Sequence, residues 1–297
     1  MLRLNIFVLL LLLSSLASAA CFSWSGQPEV VGKLQFYATK KGEGVADVAR
    51  KFDVGYDNLL QANPGISPNL PIDQVFVPLP GTMFIIPSKF LIPKYKYDTG
   101  ILINLPAKNL YYFNKSKAQV CVYPIGVGKE DWNTPTGKLF VMQKIKNPVW
   151  IVPKSIFEYR KKKGDPVPKI VKAGPDNPLG QFALRLSDPT YLMHGTNEPE
   201  GVGRRSSAGC IRLYPEDIAN LFPKVAIKTH VIIAHMPINI QKVNGQLKVE
   251  WHPPLEKPDA AFKTVLEENN STYAKDALQA FHQPSSTLPL GLPSEIS

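Results

Sequence analysis

Ile101-Leu102-Ile103-Asn104-Leu105, Leu110-Tyr111-Tyr112-Phe113 and Val120-Cys121-Val122-Tyr123-Pro124-Ile125 are three apolar runs separated by short polar breaks. Aliphatic and aromatic residues of this kind fit a pleated, buried surface, and runs this short between turn residues read as strands. The pattern continues downstream. Thr134-Pro135-Thr136-Gly137 turns into Lys138-Leu139-Phe140-Val141-Met142, and Phe182-Ala183-Leu184-Arg185-Leu186 and Tyr191-Leu192-Met193 lead to His194. Val231-Ile232-Ile233-Ala234 closes the segment, and Pro215 to Phe222 is its one clear helix. The stretch 99–236 therefore reads as a mainly β domain with a short helix late in its course.

The same stretch holds His194-Gly195-Thr196 and, after a Gly/Arg-rich loop, Ser207-Ala208-Gly209-Cys210-Ile211-Arg212. A thiol is mostly protonated at neutral pH, so a nucleophilic cysteine needs a neighbouring imidazole to take its proton or stabilise its thiolate. Small residues before Cys210 let the backbone approach a substrate, and the amides near Gly209 and Cys210 are candidate donors to a developing oxyanion. Cys210 is thus the candidate nucleophile and His194 its candidate base.

His-Gly, a variable loop, then Ser-x-Gly-Cys and a following Arg resembles the active-site segment of the L,D-transpeptidase (YkuD-type) family. The Leu-Tyr-Tyr-Phe strand, Thr134-Pro135-Thr136-Gly137, Asn147-Pro148-Val149-Trp150 and Leu179-Gly180 match the same family, so the resemblance spans about 100 to 236. One departure is Ala208, where many members carry a second histidine. The resemblance implies a mixed-sheet β-sandwich with a short helix after the nucleophile. It also implies that Cys210 attacks the diaminopimelate carbonyl of a peptidoglycan tetrapeptide stem, releasing D-Ala, and that an amine resolves the thioester. Gly195 would orient the imidazole through its carbonyl, and Gly209 would contribute to the oxyanion site. Arg212 suits a stem carboxylate, because guanidinium pairs carboxylates bidentately, and a structural salt bridge is the competing role. Ser207 either meets the substrate near the thiol or shapes the turn. An L,D-carboxypeptidase, with water in place of the amine, and a noncatalytic wall-binding protein are the alternatives.

No cofactor is expected. His230, His235, His252 and His282 lack metal-ligand spacing, and Gly126-Val127-Gly128-Lys129 has the wrong spacing for a phosphate loop. A net charge of +10 is scattered without a recognition motif, which argues against nucleic acid as a partner. The expected partners are peptidoglycan glycan and stem peptides, with a lysine of an outer-membrane protein as one candidate acceptor.

Residues 36–80 resemble a LysM module, a small α+β unit that binds N-acetylglucosamine-containing glycans. Phe36-Tyr37-Ala38-Thr39 reads as a strand, and Val45, Val48, Ala49 and Phe52 recur at helical spacing. Asn63-Pro64-Gly65 ends a second helix, and Val75-Phe76-Val77-Pro78 is the expected closing strand. The competing reading is a packing module that no longer binds sugar. Residues 81–98, with Pro87 and Pro93, read as a semi-rigid linker.

Arg3, the apolar run Ile6 to Leu13 and the small residues Ala17-Ser18-Ala19-Ala20 describe a signal peptide over 1–20, cut after Ala19 or Ala20, and so an exported protein, for which the family resemblance implies the periplasm. Cys21 invites a second idea, an N-terminal lipid. The chain has 3 cysteines, and with Cys210 reduced, Cys21 and Cys121 are either a disulfide or unrelated thiols. Residues 237–297 form a C-terminal extension, with a mildly amphipathic helix over 258–283 and a disordered Pro/Ser end.

Overall fold

The computed structural model describes residues 20–66, 77–257 and 291–296. The N-terminal part runs β1 (Ala20–Ser23), β2 (Val30–Gly32), β3 (Gln35–Ala38), α1 (Val45–Lys51), α2 (Tyr56–Gln61), β4 (Met83–Ile86) and β5 (Lys89–Leu91). Next come β6 (Thr99–Asn104), β7 (Asn109–Asn114), β8 (Gln119–Pro124), β9 (Val127–Gly128), β10 (Gly137–Lys146), β11 (Trp150–Ile151), α3 (Lys154–Lys162) and β12 (Ile170–Val171). The site-bearing part is β13 (Phe182–Leu186), β14 (Leu192–His194), β15 (Arg205–Ser207), β16 (Ile211–Arg212), α4 (Pro215–Lys224) and β17 (His230–Ala234). β18 (Ile238–Val243), β19 (Gln246–Trp251) and β20 (Ser294–Ile296) follow.

The main sheet is mixed and has nine strands in the order β1-β8-β7-β6-β17-β10-β13-β14-β16. Its parallel pairs are β6–β17 and β14–β16. Strand alternation explains why β6, β7 and β8 are apolar almost throughout. Ile101, Ile103, Leu110, Tyr112, Cys121 and Tyr123 enter one core, while Leu102, Tyr111, Phe113, Val120 and Val122 enter a second core on the opposite face. The first core also holds Val141, Leu184, Leu186, Met193 and Ile211 from the other half of the sheet, which therefore curls around it. Backbone bonds in both directions between Gly126 and Arg212, at 2.9 and 3.0 Å, bring the end of β8 against β16 and nearly close the curl. α4 lays Ile218, Leu221 and Phe222 onto this core.

β3, α1, α2 and β4 form the expected strand-helix-helix-strand unit, with Val45, Val48, Ala49, Leu59, Phe84 and Ile86 at its centre. α1 lacks a side-chain cap at Gly44, but Asp47 reaches back to accept the Gly44 N–H at 2.8 Å. Two expectations need correction. The strand closing the unit on β3 is Met83–Ile86 and not Val75–Pro78, of which Val75 and Phe76 lie outside the described residues. The stretch 81–98 is not a spacer either. β5 pairs with β2, and Phe90 and Ile92 are buried in the second core. A Pro-rich composition permits extended backbone, and sheet edges capture extended backbone as readily as solvent does.

The small unit is also seated on the part that carries the curled sheet. Val202 and Gly203 accept the N–H groups of Tyr56 and Asp57, the Tyr214 hydroxyl donates to Val54 O at 3.2 Å, and Arg50 pairs with Glu216 at 2.9 Å.

Cys21 and Cys121 face each other across β1–β8 and form a disulfide, which leaves no sulfur at Cys21 for a lipid thioether. The extension also departs from expectation. β18 and β19 make a hairpin around Asn244-Gly245, both with positive φ (51° and 84°). It clasps β5: Asn239 donates to Leu91 O, and the buried Glu250 carboxylate accepts the Leu91 N–H, each at 2.7 Å. Ser294–Ile296, expected to be disordered, adds to β19 as β20 because a hairpin edge offers unpaired backbone groups. The expected helix over 258–283 lies outside the described residues.

Candidate active site

β14 and β16 pair in parallel with Met193 opposite Ile211 and His194 opposite Arg212. Met193 and Ile211 both point into the first core. Alternation therefore turns Leu192, His194 and Arg212, with Cys210 just ahead of β16, to the other face together. A separation of sixteen residues in sequence becomes one step between neighbouring strands.

His194 is buried, and its Nδ1 lies 2.5 Å from the carbonyl oxygen of Gly195. That oxygen can only accept, so Nδ1 carries the proton and Nε2 is left with its lone pair. Burial, with the Arg212 guanidinium adding to it, pushes the imidazole down to about 3, against the Gly195 bond that favours the cation. Cys210 is the one free thiol, half-buried, with Sγ 3.8 Å from Thr190 O. Burial raises its pKa, while the Leu192 N–H and the charges of Arg212 and Arg185 oppose the rise. The resting pair is consequently neutral imidazole and neutral thiol, suited to general-base activation at the moment of attack.

The nucleophile turn is held from inside. The Ser207 hydroxyl, buried, donates to Cys210 O at 2.6 Å and accepts the Gly209 N–H at 3.1 Å. The Ser207 hydroxyl is thus engaged within the turn, in line with the turn-shaping alternative, and the Gly209 N–H is directed at it. The Cys210 amide has no acceptor among the described residues. Gly209 is still demanded by the backbone, with φ 101° and a β-carbon that would sit 3.0 Å from the Tyr191 ring. Ser207→Ala is expected to leave the fold intact, to cost about 1–3 kcal/mol from two lost bonds, and to lower kcat far more than it raises KM. Chemical denaturation and steady-state kinetics check this.

Several positioning residues were not singled out from sequence. Thr134 accepts the Gly128 N–H and donates to Gly209 O, both at 2.9 Å, tying the Thr-Pro-Thr-Gly turn to the nucleophile. Its signal was a threonine fixed between turn residues. Fully buried Asn177 ties together the open end of the β11–β12 pair through Pro148 O, Val171 O and Lys172 O, and it accepts the Leu179 N–H. Gly180 then packs on Gly195, where a β-carbon would meet Gly195 C at 3.0 Å. Arg212 pairs with Glu198 at 3.1 Å, the competing role to a stem carboxylate, and its charge acts on both His194 and Cys210.

The family model of the YkuD L,D-transpeptidase catalytic domain matches residues 98–233. The chain is 40% identical over 234 residues to "Probable L,D-transpeptidase YcfS" of Escherichia coli, covering 77% of this chain and 71% of that one. To "Probable L,D-transpeptidase YbiS" of the same species it is 35% identical, covering 79% and 75%. The chain belongs to the L,D-transpeptidase family. Among solved structures, the catalytic domain from the E. faecium L,D-transpeptidase is similar at 22% identity over 47% of this chain and 99% of that one, with a TM-score of 0.36. The matched segment of this L,D-transpeptidase begins one residue before β6 and ends in β17, so it contains every strand of the curled sheet except β1, and it spans His194 and Cys210.

Proposed function

We infer that this L,D-transpeptidase acts on peptidoglycan tetrapeptide stems as a cysteine acyltransferase. Cys210 Sγ attacks the diaminopimelate carbonyl while His194 Nε2 takes the thiol proton. The carbon–nitrogen bond to D-Ala breaks, and His194 returns the proton to the departing amine. An acceptor amine, from a second stem or a protein lysine, then attacks the thioester, loses a proton to His194 and regenerates the thiol. The Cys210 amide is the donor we assign to the oxyanion, and Gly195 fixes the imidazole.

The observation that carries this reading is the shared face of β14 and β16, which presents His194 and Cys210 together over a turn braced by Ser207 and Thr134. The β3–β4 unit is assigned as a LysM module that holds the glycan, on the motif pieces and the strand-helix-helix-strand order. The leader over residues 1–19 sends the enzyme to the periplasm, in keeping with a disulfide at Cys21.

The deciding experiment incubates the mature enzyme with disaccharide-tetrapeptide and reads products by mass spectrometry. Loss of D-Ala with a 3-3 dimer is the expected result. Tripeptide alone would show a hydrolase, and no release would overturn the donor assignment.

The neutral resting pair has a kinetic consequence. Alkylation of Cys210 by iodoacetamide should rise about tenfold per pH unit between roughly pH 6 and 8, because only the thiolate reacts. A rate that stays flat down to pH 5 would mean a preformed ion pair. His194 also couples to stability. Its native pKa of about 3 lies below the unfolded 6.5, so the unfolded chain binds a proton that the native chain refuses. Stability from this site is present above pH 6.5 and is lost as pH falls from there towards 3.

A further inference from the structure

Asp53 and Asp217 meet in the seam between the small unit and the catalytic part. Asp53 follows α1 with φ 53°, and Asp217 lies in the first turn of α4. They are 7% and 0% exposed, and Asp53 Oδ1 and both oxygens of Asp217 have no donor among the described residues. Each carboxyl lies against the other. Burial is the first cause that raises both, Asp53 to about 6 and Asp217 well above its ordinary range. The other charged and titratable groups facing the pair are Glu216 and Arg50, which pair with each other, and the phenols of Tyr123 and Tyr214. Arg50 is thus already engaged. Two buried carboxyls without a cation of their own are costly and need an explanation.

One donor does reach them. The backbone N–H of Ala20 bonds Asp53 Oδ2 at 3.2 Å. β1 is held there by its pairing with β8 and by the disulfide one residue later. Ala20 is also the residue after Ala17-Ser18-Ala19, which has the small-x-small form of an export cleavage site. We propose that cleavage between Ala19 and Ala20 creates an α-ammonium group that docks on the Asp53–Asp217 pair as its missing cation, so that maturation completes the seam between the two parts of the enzyme. In the uncut chain that nitrogen is a neutral amide with one hydrogen to give. After the cut it carries a full charge and three hydrogens, in the same place, 3.2 Å from Asp53 Oδ2. A buried, hydrogen-bonded charge pair of this kind is worth far more than an exposed one, and removing one partner leaves the other stranded.

The proposal rests on the export reading above, and the test separates the two. Intact-mass analysis of the exported protein should show a chain starting at Ala20. A chain starting at Cys21 would overturn the docking and keep the export reading, and an uncut chain would overturn both. With that terminus in place, acetic anhydride at about pH 7.5 followed by peptide mapping should acylate the N-terminal amine at least tenfold more slowly in native than in denatured protein. Equal labelling overturns the docking alone. A protein carrying Gly-Ser ahead of Ala20 keeps the neutral hydrogen bond but moves the charge away. It should melt about 5 °C or more lower near pH 7, with the gap closing near pH 4, where the pair is protonated. The gap should vanish in the Asp53→Asn background. Identical melting of the native and extended proteins at pH 7 would also overturn the docking.

Discussion

Cys210→Ala is expected to abolish D-Ala release and thioester formation while the protein melts as the parent does. The side chain is half-buried just ahead of β16 and its polar contacts are the weak ones to Thr190 O and the Leu192 N–H. Truncation therefore removes the nucleophile and little packing. The loss should be at least about a thousandfold, because general-base and oxyanion groups have no covalent step to act on without the thiol. Turnover by the alanine protein within tenfold of the parent would mean that the site is elsewhere. Binding of purified peptidoglycan should persist in it, since the β3–β4 unit is untouched, and loss of binding together with turnover would assign glycan recognition to the catalytic cleft.

Removing the Cys21–Cys121 disulfide is expected to have the largest effect on stability. It joins residues 100 apart in sequence. Closing a loop of about that length restricts the unfolded chain by about 4.7 kcal/mol in the chain-entropy account. Cys21→Ala/Cys121→Ala should accordingly lower the melting temperature by about 10 °C. It should also loosen β1, which reaches the sheet through β8 alone. Denatured but unreduced protein should titrate with one free thiol, that of Cys210, and a titre of three would show that the bridge does not form. The parent melted with reductant should match the double alanine variant.

The sequence determined the class of the fold because its strands are buried on both faces. The runs at 101–105, 110–113 and 120–125 needed no partner to be recognised, and each is a strand of the sheet. It also singled out the residues of the proposed site. A cysteine, a histidine and glycines at tight turns are residue types that few other tasks require together, and both catalytic candidates lie on one face of two neighbouring strands. The β18–β19 hairpin was also there to be read. Asn244-Gly245 flanked by Ile238, Ile240, Val249 and Trp251 is a strong hairpin signal that the weak overall pattern after Pro237 obscured.

Tertiary structure decided the rest, because it depends on which donors and acceptors are brought together from distant parts of the chain. Only the folded turn sends the Ser207 hydroxyl to Gly209 N–H and Cys210 O. Only β2 and β18 turn a Pro-rich stretch into sheet, by offering edges that local composition does not encode. The choice between a lipid and a disulfide at Cys21 was made by register, since Cys121 stands opposite it across β1–β8. The burial of Asp53 against Asp217 likewise has no trace in a sequence where they stand 164 residues apart. Local preference fixes the elements of this enzyme, and long-range hydrogen-bond partners fix what its polar groups do.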